Sequence, residues 1–261
     1  MMAFTTKRAP VVDEARERDP VATAEWDRAR RAEVQYSIQL RKIARHVADI
    51  IKGLGVDSPE AAEAVAEALR RYERLLHPWA KTAARRMVTE VAARNDKLWR
   101  KVSAEMGRSI KTTFAEEHGI GERYRQLMAE QVNLITSIPR EAAERVHHLV
   151  TQGVVKGVRF TEIAKEIERG GEVSKSRATL IARTETGRVV TALCQARAES
   201  LGSTGYTWRT MKDAQVRPSH KAMEGRFVAW DSPPTLDKLT GHAGSVPACR
   251  CYCEPSLPKN F

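Results

Sequence analysis

The chain has 261 residues, 42% of them hydrophobic and 6% aromatic, and a formal net charge of +11. That length suits one large domain or two ordinary ones with real cores, and the apolar content excludes a chain that is disordered throughout. No run approaches the ~18 apolar residues of a membrane span, and four cysteines, three of them at alternate positions, do not make a disulfide framework.

The cationic excess favours anionic partners such as nucleic acid, although no compact Lys/Arg block stands out. The first 20 residues mix charge and proline and read as a loose arm; they lack the apolar core of a signal peptide and are too acidic for a transit peptide. A reducing, cytosolic setting follows as the expectation.

From Val21 to Leu54, Tyr36, Leu40, Ile43, Val47, Ile50 and Leu54 recur at steps of four and three, which draws one stripe down a helix. "KGLGVDSPE" stops it: Gly53 and Gly55 break the helix, Ser58 caps the next and Pro59 opens it. The second helix carries Val65, Leu69, Tyr72, Leu76, Trp79, Ala83, Met87 and Val91, then Leu98, Val102, Met106 and Ile110, with a kink or restart expected at Pro78. Together these predict a long-helix hairpin over 21–125, coiled-coil-like in its spacing. Its stripes are free to meet a partner chain or to bury only each other.

Beyond "EEHGIGERYRQ" the helices shorten. Ser137 is expected to cap a helix bearing Ala142, Val146, Leu149 and Val150, Thr161 to cap "FTEIAKEIER", and a last helix to run from Ser174 to Leu201 with Gly202 as its stop. After Gly205 the helical period disappears, and "YTWRT", "RFVAW" and "CRCYC" read as small strands between Pro/Gly/Asp stretches. The expected fold is α+β and mostly helical, with the hairpin followed by a compact helical unit that ends in a small β-sheet over 130–255 and a tail at 256–261.

Three constellations carry candidate chemistry. In "IARTETGR", Glu185 shares a stripe with Ile181 and Val189, so a buried carboxylate is expected, and Arg183 or Arg188 is its candidate partner, with Arg209 of a strand as another. Structural ion pairing outweighs acid–base catalysis there, because no nucleophile or second carboxylate stands beside Glu185. His220, in the loop between two predicted strands, joins Cys249, Cys251 and Cys253 as a candidate zinc set, with His242 as another donor. Alternate spacing in an extended strand puts all three thiols on one face several ångströms apart, so buried free thiols and a redox pair stay open beside the metal. Cys194 reads as core packing within its helix.

The ordered segments "QVNLITSIPREAAERVHHLV", "FTEIAKEIE", "RATLIARTETGRV", "GYTWRT", "DAQVRPSHKAMEGRFV" and "PACRCYCEP" resemble the C-terminal domain of the Mu F-like phage minor head proteins, also called phage head morphogenesis proteins. The resemblance covers about residues 130–255. It implies a non-enzymatic virion component, assembled in the host cytoplasm, present in few copies at the portal vertex or inner capsid, and concerned with DNA packaging or delivery. Its implied partners are the portal protein, the major capsid protein and, without sequence specificity, packaged DNA. Many relatives carry Cys-Pro-x-Cys where this chain has Arg217, Pro218, Ser219 and His220, while Cys249 and Cys251 match the family's closing pair. Arg217 removes one thiol, leaving a fourth ligand to Cys253, His242 or Asp213. Two other classes compete: a transferase related to ADP-ribosyltransferase toxins, for which "ERGGE" and "RTET" lack the expected motifs and these residues leave little room, and a zinc-dependent nucleic-acid-binding module.

Overall fold

The computed structural model describes residues 20–105 and 120–258. The expected N-terminal arm up to Asp19, the Met106–Ile110 part of the second stripe and the last residues of the tail lie outside them. The fold is α+β and mostly helical, as the periodicity predicts. Its long elements are α1 (Pro20–Leu54), α2 (Pro59–Glu105), α3 (Ile120–Val155) and α5 (Gly170–Ser200), with the short α4 (Phe160–Glu168) between the last two.

These four long helices form a bundle in which α2 lies along α3 and α1 along α5, the α1–α2 and α3–α5 contacts closing the ring. The stripes therefore do not serve each other alone. Tyr36, Leu40 and Ile43 of α1 and Leu76, Met87 and Val91 of α2 enter one core with Leu127, Ile135 and Ile138 of α3 and Ile181, Val189 and Leu193 of α5. Among the described residues, these stripes are spent inside the bundle and not on a seam for an outside partner. At the end nearest the α1–α2 turn the stripe also drifts: Ile51 is buried, Ile50 is half-buried and Leu54 is exposed.

The expected N-cap at Ser58 is present, its hydroxyl accepting the Ala61 N–H at 3.1 Å. Two prolines behave differently from their usual role. α2 passes through Pro78 and α3 through Pro139 without a break. The carbonyl that Pro78 leaves without a helical donor belongs to Arg74, an exposed residue. Before Pro139, Thr136 and Ser137 donate to the carbonyls of Asn133 and Leu134 at 3.2 and 3.0 Å, so Ser137 sits inside α3 and caps nothing. Likewise Arg159, not Thr161, occupies the N-cap of α4, and α5 begins at Gly170, four residues before Ser174.

Gly202 ends α5 as expected. With φ at +80° it lets its own N–H reach the Glu199 carbonyl and the Ser203 N–H reach that of Ala198, a Schellman closure. The chain then enters β1 (Gly205–Arg209), α6 (Pro218–Lys221), β2 (Phe227–Ala229), β3 (Thr235–Leu236), β4 (Leu239–Thr240) and β5 (Tyr252–Pro255). β1 is the centre of an antiparallel sheet ordered β2-β1-β5, and β3 and β4 form a separate hairpin. Tyr206, Trp208, Val228 and Trp230 of this unit pack on Cys194 and Ala198 of α5 and on Trp99 of α2. The buried Arg197 of α5 adds an ion pair to Asp96 of α2 at 2.5 Å. Residues 21–125 and 130–255 thus share cores at both the bundle and the sheet.

The 241–251 loop meets α5 backbone to backbone. A Cβ at Gly187 would lie 2.6 Å from the Gly244 carbonyl oxygen. Gly187→Ala is therefore expected to cost about 1–3 kcal/mol through forced overpacking, read as a lowered midpoint in chemical denaturation.

Candidate functional site

Three of the predicted ligands come together. His220 of α6, Cys249 and Cys251 are buried, and their donor atoms all lie within 4.8 Å of one another. His220 Nδ1 is 3.4 Å from Cys249 Sγ and 3.6 Å from Cys251 Sγ. Zinc bonded tetrahedrally to nitrogen and sulfur would set those atoms about 3.5 Å apart, so spacing and donor type both fit a soft divalent ion. Among the described residues this is the one His/Cys/Asp/Glu group so arranged.

The convergence follows from where the strand begins. β5 starts at Tyr252, not Cys249, so the first two thiols sit in the loop before it. Ala248 takes a positive φ of 54°, and the Cys251 N–H folds back onto Cys249 Sγ at 3.4 Å. The Cys251 thiol donates to the Cys249 sulfur and pulls Cys249 below the usual thiol range, against its burial; the N–H groups of Cys251 and Gly244 and the nearby His220 assist. Cys251, as the donor, is pushed up in turn.

Cys253 does not join this set. Its Sγ faces the Ala243 carbonyl at 3.6 Å, and it sits beside Cys194, Tyr206 and Thr191. His242 Nδ1 meets the Tyr206 hydroxyl at 3.3 Å within an aromatic cluster that includes Trp230. Asp213 pairs with Arg250. All three candidates for a fourth ligand are therefore engaged elsewhere. Trp208 packs edge-on against the His220 ring, with centroids 5.5 Å apart, whereas His220 Nε2 is buried and has no hydrogen-bond partner among the described residues. None of those residues supplies the acceptor that usually orients a ligating imidazole.

The predicted buried carboxylate is present. Glu185 accepts from Arg188 Nη1 at 3.2 Å and from Gln131 Nε2 at 2.9 Å, and Gln131 Oε1 accepts from the Tyr36 hydroxyl at 3.0 Å. Arg183 is not in this network; its field acts on Glu33 of α1. Arg209 pairs instead with Glu254 and Glu224. Sequence reasoning missed Gln131 and Tyr36, because nothing in a helical period marks which polar residue faces a carboxylate on another helix. The neighbouring Thr184 accepts the Ala248 N–H at 3.1 Å and Thr191 donates to the Ala243 carbonyl at 2.7 Å, so the same face of α5 grips the cysteine loop.

Glu185→Ala strands the buried Gln131 amide and is expected to lower stability by about 1–3 kcal/mol, with Glu185→Gln retaining more of it. A Tyr36→Phe/Glu185→Ala double-mutant cycle in denaturant measures how far the three helices are coupled through the chain.

Comparison with known proteins finds a family match over the site. Residues 144–254 match the family model described as Phage Mu protein F like protein. An uncharacterized protein of Haemophilus influenzae is 31% identical over 156 residues, 60% of this chain and 34% of its own length. The minor head protein GP7 of Bacillus phage SPP1 is 24% identical over 44% of this chain and 42% of itself. The NAD(+)–arginine ADP-ribosyltransferase EFV of Enterococcus faecalis is 29% identical over 42% of this chain, which is 25% of that enzyme. The chain thus covers well under two thirds of each of these relatives, and no solved structure matches it. The segment that builds both the cysteine loop and the face of α5 beneath it is the one that matches this family model, over residues 144–254.

Proposed function

We propose that this chain is a structural minor head protein of a tailed phage, held at the portal vertex or inner capsid and concerned with head assembly and DNA packaging or delivery. The observation that carries the reading is the match of residues 144–254 to the Mu F-like family together with the similarity to the SPP1 minor head protein. A polar network spent on joining α1, α3 and α5 suits a scaffold better than a catalyst. The similarity to EFV extends over a quarter of that enzyme, and among the described residues no nucleophile joins the Glu185 network, so ADP-ribosyl transfer is the weaker reading.

His220, Cys249 and Cys251 would hold zinc, which when bound supplies a cross-link between the α6 loop and the cysteine loop. Charge placement supports contact with packaged DNA. Residues 34–48 of α1 and 74–89 of α2 contain no Asp or Glu but carry Arg41, Lys42, Arg45, Arg74, Lys81, Arg85 and Arg86. α1 and α2 pack together, and the His46 ring of the first stretch lies 4.4 Å from that of Tyr72, two residues before the second.

In purified virions, antibody labelling and copy counting are expected to find a few molecules at one vertex of the head; a tail location would sink the proposal. Binding to duplex DNA should be unspecific and fall with salt. Replacing Lys42, Arg45, Lys81, Arg85 and Arg86 by Gln should flatten the log–log salt slope by about 4.5, at about 0.9 for each phosphate no longer neutralised.

A further inference from the structure

Resting on the zinc reading of His220, Cys249 and Cys251, we infer that Arg217 and Arg250 form a reciprocal brace that sets the ligand geometry before any ion arrives, so that this unit folds without metal and receives it in a preformed three-ligand site.

The two ligand-bearing loops have no covalent tie, and each sends an arginine to the other. Arg217, one residue before α6, donates through Nη2 to the Pro247 carbonyl at 2.8 Å, two residues before Cys249. Arg250, between the two cysteines, pairs with Asp213 at the start of the α6 loop. Asp213 divides its carboxylate between two tasks: Oδ1 accepts the Gln215 N–H at 2.9 Å and shapes the turn, while Oδ2 takes Arg250. The guanidinium of Arg250 is largely buried at 15% side-chain exposure, so this pair is less screened than a surface one.

The brace stands where other supports are lacking. Among the described residues His220 Nε2 has no acceptor, and Cys253, His242 and Asp213 are all engaged away from the ligand group. Three ligands alone form a weaker cross-link than a closed four-ligand site, which is the kind that supplies folding energy. The ties from Ala248 to Thr184 and from Thr191 to Ala243 join the cysteine loop to α5 through protein groups alone. Arg217 and Arg250 are positioning residues: they reach Pro247 and Asp213 and act by fixing the distance between the loops.

The test uses the full chain, stripped with chelator, in wild-type, Arg250→Gln, Asp213→Asn, Arg217→Gln and Arg250→Lys forms. Cobalt(II) titration followed by thiolate-to-metal absorption measures affinity, zinc competition extends it, and thermal melting of the stripped protein measures folding. The expected result is a cooperative melt for metal-free wild type, and a drop of about 10- to 100-fold in affinity for the Gln and Asn variants with partial rescue in Arg250→Lys. Faster iodoacetamide labelling of Cys249 in the stripped variants would show the same loosening without metal. Wild type that binds cobalt while the variants bind equally well overturns the brace alone, as does stripped wild type that no longer melts cooperatively. Wild type that binds no cobalt overturns the zinc reading.

Discussion

The C-terminal unit depends on one close approach. The loop carrying Cys249 and Cys251 lies on α5 with main chain against main chain, which is open to it only because residue 187 has no side chain and residue 244, at φ +83°, has none either. Around that contact the sequence "RTETG" assigns each position a separate task. Arg183 acts toward α1, Thr184 accepts from the cysteine loop, and Glu185 turns into the bundle. Gly187 makes the room. A helix that is a bundle member on one side is the floor of a small sheet domain on the other. That double use explains why so many polar residues occur on it: they satisfy the backbone groups of irregular chain that would otherwise be buried unpaired.

Much of this was legible beforehand, and the failures have physical causes. Helical periodicity located α1 and α2, because burial of a stripe is a strong and repeated constraint, and its loss after Gly205 marked the region of short strands. It could not say which helices face one another, so a hairpin burying its own stripes was indistinguishable from half of a four-helix bundle. Ser137 misled as a cap because a hydroxyl that bonds a carbonyl three residues back fits inside a helix as well as at its start, and α2 runs on through Pro78 at an exposed position. The β3–β4 hairpin, two residues per strand, leaves too short a pattern to detect.

The cysteine run is the clearest case of both outcomes. Donor chemistry alone picked out His220, Cys249 and Cys251. Cys253 was indistinguishable from them by spacing, and what separates it is the start of β5 at Tyr252, a boundary set by pairing with β1 that no local pattern reveals. The family match begins at residue 144 and encloses the whole cysteine and imidazole arrangement together with the face of α5 that seats it.

α2 has a mechanical consequence. Its 47 residues make a rod about 70 Å long that contributes Ala62, Val65 and Leu69 to the core beside the α1–α2 turn and Trp99 to the core of the sheet. An unbroken strut anchored in apolar packing at both ends cannot let either end swivel alone. The α1–α2 turn and the cysteine-bearing sheet unit therefore stand at a fixed separation along one helix.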